Sequence, residues 1–242
     1  MWDPQVYLKF ASERGRPFHD LIGRIRAVEP RSVVDLGCGP GNLTQTLAQR
    51  WPGAAIKGVD ASPEMIAAAP VSTVRYEVGD LREYVPTEDV IVTNATLQWV
   101  DGHDELLQKW AAPGRWIAMQ VPANFDAPSH LLLRELAPEH AGRRTVGDAV
   151  HYARVFRAAG CVVDAWETTY IHQLPLVEGA RHPVLTWMSG TALNPVRTAL
   201  SEPDFAKLCD ELEAGLWKAY PAHDSVVDFP FLRVFAVAYR ER

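Results

Sequence analysis

Apolar positions in the first half of the chain follow two alternating rhythms. Short β-branched runs occur at Ser32–Gly37 (SVVDLG), Ala55–Asp60 (AIKGVD), Val74–Val78, Asp89–Thr93 and Arg115–Val121 (RWIAMQV). Between them, apolar residues recur at helical spacing. Asn42–Trp51 places Leu43 and Leu47 on one face, Glu64–Ala69 follows Ser62-Pro63, and Asp104–Trp110 ends before Ala112-Pro113-Gly114. A serine N-cap with proline at the first helical position is a start signal, because the hydroxyl satisfies an orphan N–H and proline lacks one. Strands alternating with helices imply a parallel sheet covered on both faces. The second half is less regular. Helices are expected at Ser129–Ala137, Asp148–Ala159, Ala180–Met188 and Pro203–Ala219, with long strands at Val162–Gln173 and Val226–Tyr239. The expected fold is therefore α/β: a seven-stranded, mostly parallel sheet, helices on both faces and a helical cap. It forms one domain over residues 1–242, with cap segments at about 123–160 and 175–222.

The segment richest in chemistry is Val33-Val34-Asp35-Leu36-Gly37-Cys38-Gly39-Pro40-Gly41-Asn42, a strand running through a glycine turn into a helix. Glycines permit positive φ and let a ligand approach the backbone. A helix start offers unpaired N–H groups, and the first crevice of an open α/β sheet is a common ligand site. A dinucleotide loop would need a third glycine where Asn42 stands. A phosphate-binding P-loop would need a following lysine. A nucleophile elbow would need glycines two residues either side of Cys38, where Leu36 and Pro40 stand. A plain tight turn remains the alternative.

This loop resembles motif I of the class I S-adenosylmethionine-dependent methyltransferases, a Rossmann-like family. There the sequence E/D-x-G-x-G-x-G ends the first strand and cradles the cofactor's amino-acid part. The resemblance implies S-adenosylmethionine as cofactor, S-adenosylhomocysteine as product, and cofactor contacts from Asp35, Gly37, Gly39, Gly41 and Asn42. Asp35 could equally cap the loop's own N–H groups. Asp60, with Ala61 and Ser62, ends the second strand, where an acidic residue can accept from both ribose hydroxyls; a capping role is the alternative. Asp80 and Leu81 match the family's adenine-binding position, and an Asx-turn is the plain reading of Asp80. Thr93-Asn94-Ala95-Thr96-Leu97-Gln98-Trp99 resembles motif IV, adding Asn94 and Ala95 to the cofactor set.

The flanks resemble the branch of that family that methylates trans-aconitate. They are the Trp2–Pro17 region, Asn94–Trp99, Gln120-Val121-Pro122-Ala123-Asn124 and Thr168–Pro175; the likeness thins around Ala137–Asp148 and Glu178–Asp224. It implies methyl transfer to one carboxylate of a small tricarboxylate. A carboxyl of pKa near 4 is already ionised at pH 7, so no catalytic acid or base is required. The enzyme has to position two reactants and exclude water.

Charge sharpens this picture. The chain carries a net −6, which disfavours nucleic acid as a partner and means a small anionic substrate needs local cations. Arg14, Arg16, Arg143, Arg144 and Arg233 are candidates, since arginine holds carboxylates in a fork. Arg14 and Arg16 stand out because they lie on an N-terminal helix with Tyr7 and Phe10. Tyr7, Arg14, Arg16, Gln98, Trp99, Tyr170 and His172 make up the expected substrate set; Trp99 could instead be a core aromatic. The eight histidines show no paired metal-ligand spacing, so no metal is expected. No apolar run reaches the roughly 18 residues of a membrane span, and the start MWDPQVYLKF lacks a signal-peptide pattern. The three scattered cysteines do not suggest a disulfide framework. A cytoplasmic enzyme is the reading, with oligomeric state open. The competing functions are a methyltransferase for a phenol or amine, with His172 or His130 as base, a nicotinamide-dependent reductase, and a non-catalytic cofactor-binding module.

Overall fold

The computed structural model describes residues 11–142 and 144–241. Helix α1 (Ala11–Gly23) precedes the sheet. Five parallel strands follow: β1 (Ser32–Leu36), β2 (Ala55–Asp60), β3 (Arg75–Val78), β4 (Val90–Asn94) and β5 (Trp116–Pro122). Helices α2 (Thr44–Arg50), α3 (Pro63–Ala67) and α4 (His103–Trp110) supply crossovers. After α5 (Pro128–Leu136) and α6 (Ala149–Ala158) come β6 (Val162–Pro175), α7 (Pro183–Ser189), α8 (Asn194–Ala199), α9 (Glu202–Ala219), β7 (Ala222–His223) and β8 (Val226–Tyr239). The strand order is β3-β2-β1-β4-β5-β8-β6, with β7 paired to β8 outside that path. Every sequence-predicted strand is present.

The order reverses between β1 and β4, which is where open α/β sheets leave a crevice beyond their carboxyl ends. The central strands are apolar throughout because both faces are covered: Val33, Val34, Leu36, Val90, Ile91 and Val92 are fully buried. Strand β8 runs antiparallel to β5, pairing Gln120 with Phe235 and Pro122 with Arg233. The start of β8's paired stretch thus lies at the ligand end of β5.

The described chain divides into two compact units. The first holds the residues up to Pro122, residues 145–168, and the chain from Arg233 onward. Within it α4 and α6 meet through His103, whose Nδ1 lies 2.9 Å from the Val100 carbonyl and whose Nε2 lies 2.9 Å from the Tyr152 hydroxyl. The second holds residues 123–144 and 169–232. There α9 packs on α5 closely enough that a Cβ on Gly215 would sit 3.0 Å from Leu132. Its core includes a ring cluster in which His172 stacks on Trp187 with centroids 4.8 Å apart.

Several boundaries differ from the expectation. Helix α2 starts at Thr44 rather than Asn42, because Asn42 and Leu43 are still in the turn closed by the Gln45 N–H donating to the Gly41 carbonyl. Helix α7 starts at Pro183, where His182 accepts from the Val184 N–H. Helix α8 and the two-residue strand β7 were not anticipated, being too short to show a period.

Candidate active site

The site begins with backbone conformation. Gly37, Gly39 and Gly41 have φ of +78°, +55° and +75°, the left-handed region that costs other L-residues energy. A Cβ on Gly37 would lie 2.2 Å from Thr96 Oγ1, and one on Gly41 2.4 Å from the Tyr76 ring. At Gly39 a Cβ would meet no heavy atom of the described residues within 4 Å. Two glycines therefore let the protein pack against the loop, and the third leaves its outer face open.

Hydrogen bonds hold the loop in place. Gly37 and Cys38 both donate to the Val59 carbonyl. The Tyr76 hydroxyl donates to the Gly41 carbonyl at 2.9 Å, and the Thr96 hydroxyl to the Gly37 carbonyl at 3.2 Å. Asp60, ending β2, accepts from the Gly39 N–H at 2.8 Å and the Ser62 N–H at 2.9 Å. It thus has the capping role foreseen as an alternative, yet a carboxylate has about four acceptor positions and two of them remain. Ser62 caps α3, accepting from the Met65 N–H, while Ala61 and Asn42 are exposed.

Asp35 is buried and accepts from the Thr44 hydroxyl at 2.7 Å, tying β1 to the first turn of α2. Burial pushes its carboxyl up to about 7 despite that hydrogen bond, with nearby Asp60 adding to the rise. The same burial, reinforced by Asp35 and Asp60, drives the Cys38 thiol far above its ordinary range. Asp80 forms the Asx-turn, accepting from the Arg82 N–H, and its carboxylate is also gripped by the Arg82 guanidinium. Leu81 beside it is buried.

Polar atoms without partners gather at the ends of β4 and β5. Asn94 Oδ1 and Gln98 Oε1 are buried with no hydrogen-bond partner among the described residues, as are both amide atoms of Gln120. Buried polar groups are normally satisfied, so such atoms call for explanation. Ala95 holds φ +54° with its N–H donating to the Gln120 carbonyl, a strained backbone of the kind that clusters at functional sites. Gln98 donates to the Ala95 carbonyl at 2.6 Å, bracing the same turn. Trp99 is 52% exposed, so it is not the core aromatic it could have been.

The expected substrate residues belong to both units, and some lie outside the described residues. Tyr7 lies outside the described residues, as do Arg143 and the side chain of Arg14. Arg16 is exposed on α1. Arg144 is exposed and pairs with Asp126 at 2.9 Å. Tyr170 and His172 lie in the carboxyl-terminal part of β6, which runs two residues further than expected, and are buried in the ring cluster of the second unit. Of the candidate arginines described, only Arg233 is buried, at 5% exposed. Sequence reasoning gave no role to Thr96, Tyr76 or Gln120. Gln120 carried a signal, as a lone amide in an otherwise apolar run, and the bracing residues carried none.

Residues 10–165 match the family model described as a methyltransferase domain. The chain belongs to the methyltransferase-domain family. This methyltransferase is 49% identical over 255 residues to the trans-aconitate 2-methyltransferase of Mycolicibacterium gilvum (strain PYR-GCK), a match covering 98% of each chain. It is 48% identical to the protein of the same name from Rhodococcus jostii (strain RHA1), over 98% of this chain and 99% of that one. Its fold is similar to that of Haemonchus contortus phosphoethanolamine N-methyltransferase 2, solved in complex with S-adenosyl-L-methionine. That match has TM-score 0.54 and 15% identity, and covers 94% of this chain and 53% of the other. Among the described residues of the methyltransferase, no three His, Cys, Asp or Glu gather as a metal site, and no helix is long and apolar enough to cross a membrane.

Proposed function

We propose that this methyltransferase carries the methyl group of S-adenosylmethionine to one carboxylate of trans-aconitate or a similar small tricarboxylate, giving a monomethyl ester, and that it works in the cytoplasm. The open face of Gly39 carries the cofactor half of this reading. It is the one loop glycine whose missing side chain leaves space rather than room for a protein neighbour. Around it stand a carboxylate with acceptor positions left, at Asp60, and an unpartnered amide oxygen, at Asn94. These suit the ribose hydroxyls and the ammonium of an amino-acid nucleoside, so the residues fit the cofactor. The near full-length likeness to proteins named trans-aconitate 2-methyltransferase supports the acceptor half. Three free cysteines are consistent with a reducing compartment.

Asp35, the glycine loop, Asn42, Asp60 to Ser62, Asp80 and Leu81 would hold the cofactor, with Asn94 and Ala95 at its acceptor side. Bound there, S-adenosylmethionine supplies an electrophilic sulfonium methyl. The acceptor carboxylate is ionised at neutral pH, so no side chain need take its proton. The protein's work is to freeze the approach of two reactants and to keep water away. The bracing of the loop by Tyr76, Thr96 and Asp60 serves the first task. The exposed Trp99, following the strained Ala95 turn, is placed to serve the second.

The deciding experiment is a panel of tri-, di- and monocarboxylates, phenols and amines offered with radiolabelled S-adenosylmethionine. Label is expected in an alkali-labile ester of trans-aconitate. Turnover of a phenol or amine with no tricarboxylate product would overturn the acceptor assignment and leave the cofactor reading intact.

A further inference from the structure

Register alone brings an arginine and an amide together at the far side of the crevice. Asn94 of β4 pairs with Gln120 of β5, Gln120 with Phe235 of β8, and Pro122 with Arg233. Paired residues share a face and alternate with a period of two. Asn94, Gln120 and Arg233 therefore lie on one face, at the carboxyl ends of β4 and β5. Gln120 is fully buried and Arg233 nearly so. Neither amide atom of Gln120 has a partner among the described residues. A buried amide with nothing to bond is costly, and leucine would fill the same space without that cost.

We infer that Gln120 and Arg233 form the seat for a carboxylate of the acceptor that does not react, and that this seat selects acceptors carrying more than one negative charge. The inference rests on the acceptor reading above and adds the residues that read its charge. Gln120 lies one strand beyond β4, about two strand spacings or roughly 10 Å from β1, and Arg233 lies on the next strand, β8. The guanidinium supplies the local charge that an acidic protein otherwise lacks, and the amide N–H adds a directional donor. Phe235 stacks on Trp166 with centroids 4.8 Å apart, walling the β8 side with apolar surface. Low polarity strengthens hydrogen bonds to the seated anion.

Gln120→Leu and Arg233→Met test this. For each variant, kcat and KM are measured with trans-aconitate and with a dicarboxylate and a monocarboxylate analogue. S-adenosylhomocysteine affinity is measured by titration calorimetry, and Tm by thermal unfolding. Gln120→Leu is expected to raise the trans-aconitate KM at least tenfold. S-adenosylhomocysteine affinity should stay within twofold and Tm should not fall. Arg233→Met is expected to cost more for the tricarboxylate than for the monocarboxylate. A purely structural role would lower Tm and leave KM alone, or weaken the product's binding in parallel; either result overturns the seat. If Arg233→Met does not fold, Gln120→Leu decides alone. An active wild type with unchanged KM in Gln120→Leu removes the seat and keeps the acceptor reading, whereas a wild type inert to every tricarboxylate removes both.

Discussion

Replacing Gly39 with alanine separates the loop's two duties, folding and ligand reception. A Cβ at this position meets no atom of the described residues within 4 Å, so the cost to them is confined to the left-handed φ of +55°. That conformation costs an L-residue roughly 1–2 kcal/mol. For a domain of this size each kcal/mol moves Tm by about 2–4 °C, so Gly39→Ala should melt about 2–8 °C below wild type. Its neighbours behave differently: at Gly37 the new methyl would sit 2.2 Å from Thr96 Oγ1, and at Gly41 2.4 Å from the Tyr76 ring. Both substitutions must dislodge a side chain that braces the loop, and both should be markedly less stable than Gly39→Ala. The order reverses for binding. A methyl group in a space meant for ligand acts as overpacking, about 1–3 kcal/mol, which is about 5- to 150-fold in affinity. Calorimetric titration of Gly39→Ala with S-adenosylhomocysteine, well below Tm, should show that loss, and Gly39→Val a larger one. Wild-type affinity in Gly39→Ala, together with the expected small drop in Tm, would refute the claim that a ligand approaches this face.

Two more outcomes follow from titration. With its native carboxyl near 7 and its unfolded carboxyl near 4, Asp35 binds more protons in the folded than the unfolded chain between those values. The contribution of Asp35 to the stability of the ligand-free protein should therefore be fully present below about pH 4 and be lost as pH rises to about 7, by at most about 4 kcal/mol. Asp35→Asn keeps an acceptor for Thr44 and should remove that slope; urea unfolding from pH 5 to 8 should show the variant gaining on wild type, and a constant difference would refute it. The methyl-transfer rate should stay flat from about pH 6 to 8, since the acceptor is ionised throughout. Burial holds His130 down at about 4, which leaves His172 to be tested: a limb in the pH profile that vanishes in His172→Asn would show base catalysis and favour a phenol or amine acceptor.

The parallel half of the sheet was legible because its strands alternate with helices and its turns carry glycine and proline. The glycine loop was legible because positive φ demands a particular residue. What the sequence withheld was the other side of each contact. Gly37 and Gly41 could be marked as special, but Thr96 and Tyr76, which occupy the vacated space, come from the turn after β4 and from β3 and have no local signature. Arg16 stood out from Arg233 by its place beside Tyr7 and Phe10, yet it is exposed on α1, whereas Arg233, on the β8 stretch that pairs with β5, is buried. Trp99 could have been core or surface because a three-residue turn shows no period. Helix α8 was missed for want of length, and also because Leu193 offers its N-terminus no side-chain cap.

Cys38 stands between two of the loop's glycines. Ionised, a thiol is the best nucleophile among protein side chains, and under the proposed function this loop receives an alkylating agent. The enclosure that makes Asp35 slow to lose its proton acts on the sulfur as well, and two carboxylates add their repulsion. The sulfur therefore stays protonated. Protection from self-alkylation is thus electrostatic, in a chain that keeps a soft nucleophile beside its own reagent.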